Sequence, residues 1–185
     1  MILFRCFPWG REVGERARGG PLWFPRMLQG DGRHDNPSLY GCLYASSEPI
    51  SPVVERLARF RGRSLTPDKL RSFGRAVALA GLVLADDAML IDLDDPSVLE
   101  REGLRPSIVA TGERARSQAY AAAAYERRPE AAGLRWWSTF ESQWPNVTLF
   151  DRAADEVEVA DVQALALADD VVADAARFLG LPIVA

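Results

Sequence analysis

The residues of this chain that could do chemistry are mainly arginines and carboxylates. Among its 185 residues, Lys69 is the only lysine, His34 the only histidine, and Cys6 and Cys42 the only cysteines. A lysine-dependent phosphate loop and a His- or Cys-rich metal centre therefore have almost no candidates, and no metal site is expected. A Ser-His-Asp triad could be built only on His34. The composition favours an arginine-based site for phosphate or carboxylate groups.

Two segments near the N-terminus carry polar groups where a binding site could form. Arg5 interrupts an apolar run, residues 2–7, that predicts a buried strand. A charge in such a strand must be paired or must face a cleft, so Arg5 either reaches solvent at an edge or binds an anion. Residues 30–37 form the densest polar cluster of the chain. This cluster is either a surface turn or a binding loop that leads into the next strand.

Helical geometry alone gives Glu55 a surface position. Ser51 followed by Pro52 predicts the start of a helix, with Ser51 as its N-cap. The apolar stripe of that helix is centred near Leu57, and Glu55 lies roughly 150° away from it. The pattern therefore indicates a solvated glutamate, paired at most with Arg59 one turn later.

Two adjacent tryptophans and a serine form a third candidate segment, at residues 136–138. On a strand, neighbouring side chains point to opposite faces. One tryptophan can therefore pack in the core while the other lines a pocket or an interface. Ser138 either binds a ligand or ends the strand.

The hydrophobic pattern predicts one α+β domain, spanning residues 1–185, with a mixed or antiparallel sheet flanked by helices. Strands are expected at 2–7, 40–45, 89–93, 134–137 and 147–150, and helices at 51–62, 95–103, 113–128 and 169–180. Residues 76–85 fit a strand or a helix, and residues 157–167 alternate weakly. Residues 8–38 have no sustained period, and we expect a long, ordered, functional loop there.

Charge is distributed unevenly along the chain, whose net charge is −4. Residues 1–75 carry 13 basic and 7 acidic side chains, and the remainder carries 9 and 19. A basic half suits nucleic acid or a small phosphorylated ligand, but no nucleic-acid-binding motif is present, so nucleic acid is not expected. No apolar run approaches the ~20 residues of a membrane span, and the N-terminus lacks a signal-peptide pattern. We therefore expect a cytoplasmic protein without a membrane partner.

Taken in order, these segments resemble the RES domain family, which is named for its Arg, Glu and Ser. Arg5 and its apolar neighbours look like the first strand with the family arginine. The Gly-Arg-His-Asp-Asn-Pro segment at 32–37 looks like the family's glycine-arginine-aromatic-asparagine motif. Tyr44, followed eleven residues later by Glu55, looks like the family's tyrosine and catalytic glutamate. The Trp-Ser pair that ends at Ser138 supplies the serine.

This resemblance implies an ADP-ribosyltransferase-like fold with a split sheet. It also implies an enzyme that cleaves the nicotinamide–ribose bond of NAD⁺, most simply by phosphorolysis to ADP-ribose 1″-phosphate and nicotinamide. NAD⁺ is then the substrate and inorganic phosphate the co-substrate, with no bound cofactor. The protein is expected to be the toxin of a toxin–antitoxin pair whose antitoxin is encoded separately.

The resemblance also assigns roles to residues. Glu55, Arg5 and Ser138 are the expected catalytic residues. NAD⁺ or phosphate binding is expected of Arg33, His34, Asn36 and Tyr44. Two alternatives stay open: a mono-ADP-ribosyltransferase that modifies a macromolecule, and a non-catalytic interaction module. A homodimer is also expected, because the alanine-rich face at residues 121–124 needs covering.

Overall fold

The computed structural model describes residues 1–184, which contain eight strands and five α-helices. The strands are β1 (Ile2–Pro8), β2 (Cys42–Ser46), β3 (Arg71–Ser72), β4 (Arg75–Leu84), β5 (Leu90–Asp92), β6 (Gly133–Trp137), β7 (Pro145–Phe150) and β8 (Val157–Ala164). The helices are α1 (Ile50–Leu57), α2 (Pro96–Arg101), α3 (Pro106–Val109), α4 (Arg114–Arg127) and α5 (Asp170–Leu179). Short 3-10 turns occupy Arg26–Leu28, Ala58–Phe60, Pro67–Leu70 and Asp151–Glu156. None of the helices in this range is long and apolar enough to cross a bilayer.

The strands form one sheet in the order β3-β4-β1-β2-β7-β6-β5, and β8 also pairs with β4. Every pairing is antiparallel except β5 with β6, which is parallel. This arrangement confirms the predicted α+β class, and the two ambiguous segments are the strands β4 and β8. β1 pairs with β4 along its whole length but with β2 only at Phe4 and Ser46. The sheet is therefore splayed between β1 and β2.

Helix α1 packs its apolar face against α5. Val53 and Leu57 are fully buried in a cluster that includes Val172 of α5. The helix begins at Ile50, with Pro49 already in a helical conformation as its N-cap, so the prediction that Ser51 caps the helix is wrong. The Ser51 side chain is buried and bonds to a strand instead, as described below.

The alanine-rich face of α4 is covered by the chain itself. Ala121 and Ala124 are fully buried in a cluster with Tyr40 and Phe150. The small side chains allow these aromatic rings to approach the helix closely. The reason for expecting a second copy of the chain on this face therefore falls away.

The long connection between β1 and β2 is attached to both strands. Leu22 is buried in the core beneath the sheet. Gln29 exchanges two hydrogen bonds with the backbone of Cys42: its Nε2 donates to the carbonyl at 2.7 Å, and its Oε1 accepts from the N–H at 2.8 Å. These contacts explain why a segment without periodicity is ordered.

Candidate functional site

A cleft of about 390 Å³ opens where the sheet is splayed, between α1, the 30–37 loop and the start of α4. Its walls come from all three regions and from the ends of β1, β2, β6 and β7. They are lined by Cys6, Gly32, Arg33, Tyr44, Ala45, Ser46, Pro52, Glu55, Arg56, Arg114, Trp136, Thr139, Phe140 and Asn146. Three of the seven sequence-predicted site residues, Arg33, Tyr44 and Glu55, therefore meet in one place.

Two buried polar side chains hold the carboxylate of Glu55. Asn146 of β7 donates from Nδ2 to Glu55 Oε1 at 2.8 Å. The hydroxyl of Ser51 in turn donates to Asn146 Oδ1 at 3.1 Å. Asn146 is only 3% exposed, and Ser51 is fully buried. The carboxylate is thus fixed by a chain of hydrogen bonds that crosses from α1 to the sheet.

The cleft raises the proton affinity of Glu55. Although the side chain is open to solvent at the mouth, protein surrounds it on most sides, and this burial raises its pKa above the ordinary value. The hydrogen bond from Asn146 and the charges of Arg33 and Arg114 act in the opposite direction, but burial is the larger effect. A carboxylate in this position can stabilise a positive charge that develops beside it in the cleft.

Arg33 is held rigidly in the wall of the cleft. Its Nη1 donates to the carbonyl of Val109 at 2.9 Å and to that of Thr111 at 2.7 Å. Its guanidinium carbon lies 5.0 Å from the centre of the Trp136 ring. Burial and the nearby charge of Arg114 lower the pKa of Arg33. These contacts leave the other edge of the guanidinium free for a ligand.

Sequence reasoning missed two further arginines of the cleft, Arg56 and Arg114. Arg56 follows Glu55 on α1, and its buried Nε has no hydrogen-bond acceptor among residues 1–184. Arg114 is the first residue of α4. A cation at the start of a helix opposes the helix dipole, and this local conflict is a signal in the sequence that could have identified it. Three arginines around one carboxylate make the cleft suited to an anion.

Tyr44 connects the floor of the cleft to the 30–37 loop. Its hydroxyl donates to Asp35 Oδ1 at 2.7 Å and accepts from the backbone N–H of His34 at 2.9 Å. Asp35 Oδ2 accepts from the backbone N–H groups of Gly30 and Gly32 at 2.9 and 2.7 Å. Burial and the adjacent Asp35 raise the pKa of Tyr44 well above its ordinary value. The hydroxyl is therefore occupied within the loop, and the ring is the part that faces the cleft.

His34 lies beneath the cleft and does not line it, which corrects the prediction that it binds the ligand. The side chain is 1% exposed, and its Nδ1 lies 2.9 Å from the hydroxyl oxygen of Thr148. The ring contacts Trp136 edge-on, with centroids 5.3 Å apart. Burial lowers the pKa of His34 to about 3. His34 is thus a neutral residue that supports the tryptophan on which Arg33 rests.

Asn36 and Ser138 also support the cleft from outside. Asn36 Nδ2 donates to the hydroxyl of Tyr40 at 2.7 Å and to the carbonyl of Gln118 at 3.0 Å, and so ties the loop to α4. Ser138 is buried, and its hydroxyl accepts from the N–H of Phe140 at 3.2 Å. This bond shapes the turn that brings Thr139 and Phe140 into the wall. Neither predicted residue lines the cleft itself.

Arg5 lies on the opposite face of the sheet, so its predicted place in the site is wrong. Side chains alternate along a strand, and Cys6, the next residue of β1, is the one that faces the cleft. Arg5 instead donates from Nη1 to the carbonyl of Pro21 at 2.5 Å and lines a separate cavity.

Comparison with known proteins agrees with this architecture. One chain of the M. tuberculosis MbcT–MbcA toxin–antitoxin complex matches with a TM-score of 0.61 and 17% sequence identity, over 97% of this chain and 87% of that chain. At this identity the match concerns the fold. No curated protein matches the sequence. The RES domain family model matches residues 5–170, which is nearly the whole length. The chain therefore belongs to the RES domain family.

Proposed function

We propose that this protein degrades NAD⁺ by cleaving the bond between nicotinamide and ribose. The observation that carries the proposal is the pairing of a fixed carboxylate, Glu55, with three arginines in one cleft. NAD⁺ presents the complementary groups, a pyrophosphate and a ribose carbon that becomes positive as the bond breaks. Membership of the RES domain family supports the same reaction.

The chemistry needs electrostatic stabilisation at one carbon. When the C–N bond breaks, its electron pair passes to the nicotinamide nitrogen, which becomes neutral, and positive charge spreads over the ribose ring. The ionised carboxylate of Glu55 stabilises this charge. An oxygen of inorganic phosphate then bonds to the ribose carbon and gives ADP-ribose 1″-phosphate. Nicotinamide leaves as a neutral molecule without protonation, so the reaction needs no general acid, and His34 has no catalytic proton transfer to perform.

The three arginines of the cleft bind different anionic groups. Arg33, anchored by two carbonyls, and Arg114 at the start of α4 hold the pyrophosphate. We assign Arg56, which lines the same cleft, to the attacking phosphate. Because a third cation is available for a phosphate co-substrate, phosphorolysis, and not simple hydrolysis, is the form of the reaction we propose.

The position of the cleft supports an ADP-ribosyltransferase-like arrangement. Cys6 of β1 and Ser46 of β2 both line it, at the point where these strands share a single pair of residues. The ligand would thus lie over the split in the sheet, as the family resemblance implies.

We also propose that the protein is the toxin of a toxin–antitoxin pair. This role is supported by the family and by the fold match to a chain of a toxin–antitoxin complex. Expression without an antitoxin should then stop cell growth, and Glu55→Gln should restore it. Growth arrest that persists with Glu55→Gln at equal protein levels contradicts an NAD⁺-dependent toxicity.

The direct test is incubation of the pure protein with NAD⁺, with and without phosphate, and mass spectrometry of the products. Glu158→Gln is a matched control, because Glu158 is exposed on β8 outside the cleft. Nicotinamide release that depends on Glu55 but not on Glu158 supports the proposal. Label from NAD⁺ that appears on macromolecules in a lysate indicates a mono-ADP-ribosyltransferase instead, an activity for which the basic N-terminal half is the only support.

A further inference from the structure

A second cavity, of about 760 Å³, lies on the face of the sheet opposite the cleft that contains Glu55, which we call the NAD⁺ cleft. It is enclosed by β1, the segment at residues 18–28 and the hairpin of β3 and β4. We propose that this cavity binds a nucleotide, with arginines on its phosphates and aromatic rings against its base. The proposal is independent of the reaction in the NAD⁺ cleft.

Three arginines give the cavity its charge. Arg5, Arg18 and Arg75 all line it. No carboxylate among residues 1–184 forms an ion pair with any of the three. Arg5 is half-buried, and burial lowers its pKa to about 10. Its Nη1 donates to the carbonyl of Pro21, and its guanidinium carbon lies 5.3 Å from the centre of the Phe7 ring, so an anion in the cavity would supply the negatively charged partner that Arg5 lacks.

The backbone at Gly19 allows the guanidinium of Arg75 to approach closely. Gly19 has φ +95°, a conformation that favours glycine, and a Cβ there would collide with the guanidinium of Arg75. Arg75 Nη1 also lies 3.5 Å from the carbonyl of Arg18. The absent side chain thus lets Arg75 lie across the segment and reach the cavity.

Aromatic side chains supply the second half of the recognition. Phe7 and Trp23 line the cavity, and Phe73 stands at its mouth. Phe73 is 94% exposed and has φ +50°, a strained conformation for a large side chain. Its own chain gives it no burial that offsets this strain. A base stacked on the ring would bury it.

The shape of the site favours a small ligand over the surface of another protein. Small-molecule sites are concave, mainly apolar and of roughly 300–1,000 Å³, and this cavity falls within that range. A pyrophosphate with an attached nucleoside fits this volume and uses both the cations and the rings.

Calorimetric titration of the protein with ADP tests the proposal. Arg75→Ser and Phe73→Ser alter exposed residues of the hairpin, so both variants should fold. We expect Arg75→Ser to raise the Kd roughly tenfold or more, since a charge-assisted hydrogen bond is lost. Phe73→Ser should raise it several-fold, and the matched control Arg63→Ser should leave it unchanged.

Further arms separate the two sites and the two halves of the ligand. Arg33→Ala removes an arginine of the NAD⁺ cleft and should leave one ADP-binding event intact. Pyrophosphate and adenosine should each bind more weakly than ADP. The proposal is overturned if ADP does not bind, if its binding ignores Arg75 and Phe73, if it disappears in Arg33→Ala, or if pyrophosphate binds as tightly as ADP.

Discussion

Replacing Glu55 by Gln should lower turnover steeply without weakening the fold. The variant keeps an oxygen that can accept the 2.8 Å bond from Asn146 Nδ2, so the geometry of the cleft is retained. What is lost is the negative charge beside the ribose. Loss of one such electrostatic group lowers kcat by about 10²–10³, which corresponds to about 2.7–4 kcal/mol of transition-state stabilisation. NAD⁺ binding should survive, because the arginines that we propose to hold the pyrophosphate are untouched.

The stability of this variant follows from the direction of the pKa shift. The folded-state pKa of Glu55 lies above its ordinary value of 4.5 because protein surrounds the carboxylate on most sides. The fold therefore favours the protonated form of Glu55. The stabilisation that this form contributes is fully present below pH 4.5 and is lost as the pH rises through the folded-state pKa. At pH 7 the ionised carboxylate destabilises the fold, so Glu55→Gln should keep or slightly raise the Tm.

The assay compares steady-state nicotinamide release, NAD⁺ affinity and Tm for the wild type, Glu55→Gln and the exposed control Glu158→Gln. Near-wild-type turnover in Glu55→Gln would refute the assignment of the catalytic carboxylate. A loss of turnover accompanied by a large fall in Tm would equally refute the reasoning, since it would make Glu55 a structural residue.

Three other perturbations test neighbouring parts of the site. Asn146→Ala removes the hydrogen bond that lowers the pKa of Glu55, so the acidic limb of the kcat/KM profile should move to higher pH; an unmoved limb contradicts this coupling. Arg56→Gln should raise the KM for phosphate at least about tenfold and leave the KM for NAD⁺ nearly unchanged, and equal effects on both would show that Arg56 does not hold the nucleophile. His34 has a folded-state pKa of about 3 against an ordinary 6.5, so the fold favours its neutral form. The stabilisation that this form contributes is fully present above pH 6.5, and the free energy of unfolding decreases as the pH falls, by at most ~1.4 kcal/mol per pH unit. Denaturant unfolding of His34→Gln should show a correspondingly weaker pH dependence, and an unchanged one contradicts the role of burial.

The sequence predicts the elements of this fold better than the directions in which side chains point. The sequence predicts the strand β1, and the family resemblance implies a catalytic Arg5 on it, whereas alternation along that strand turns Cys6 toward the cleft. For Glu55 the predicted direction is correct, but the predicted surroundings are not. Helical geometry correctly places it away from the apolar stripe of α1, yet that outer side faces the 30–37 loop and β7 rather than bulk water. Only tertiary packing brings those segments together.

The sequence also does not reveal which polar residues hold the cleft in place without lining it. Asn36 and His34 belong to a motif that resembles a binding loop, and their polar atoms are used to hold that loop in place. Asn146 precedes the strand expected at 147–150, and nothing in the sequence marks it as the direct partner of Glu55. Its role depends on the pairing of β7 with β2, which sets Asn146 opposite Ser46 at the edge of the cleft.

The most direct test of NAD⁺ cleavage in this cleft is the phosphate dependence of product formation by the wild-type protein. Mass spectrometry should detect nicotinamide and ADP-ribose 1″-phosphate in equal amounts, with a rate that rises with phosphate concentration and saturates. Folded protein that releases no nicotinamide from NAD⁺, with or without phosphate, would contradict the proposed function.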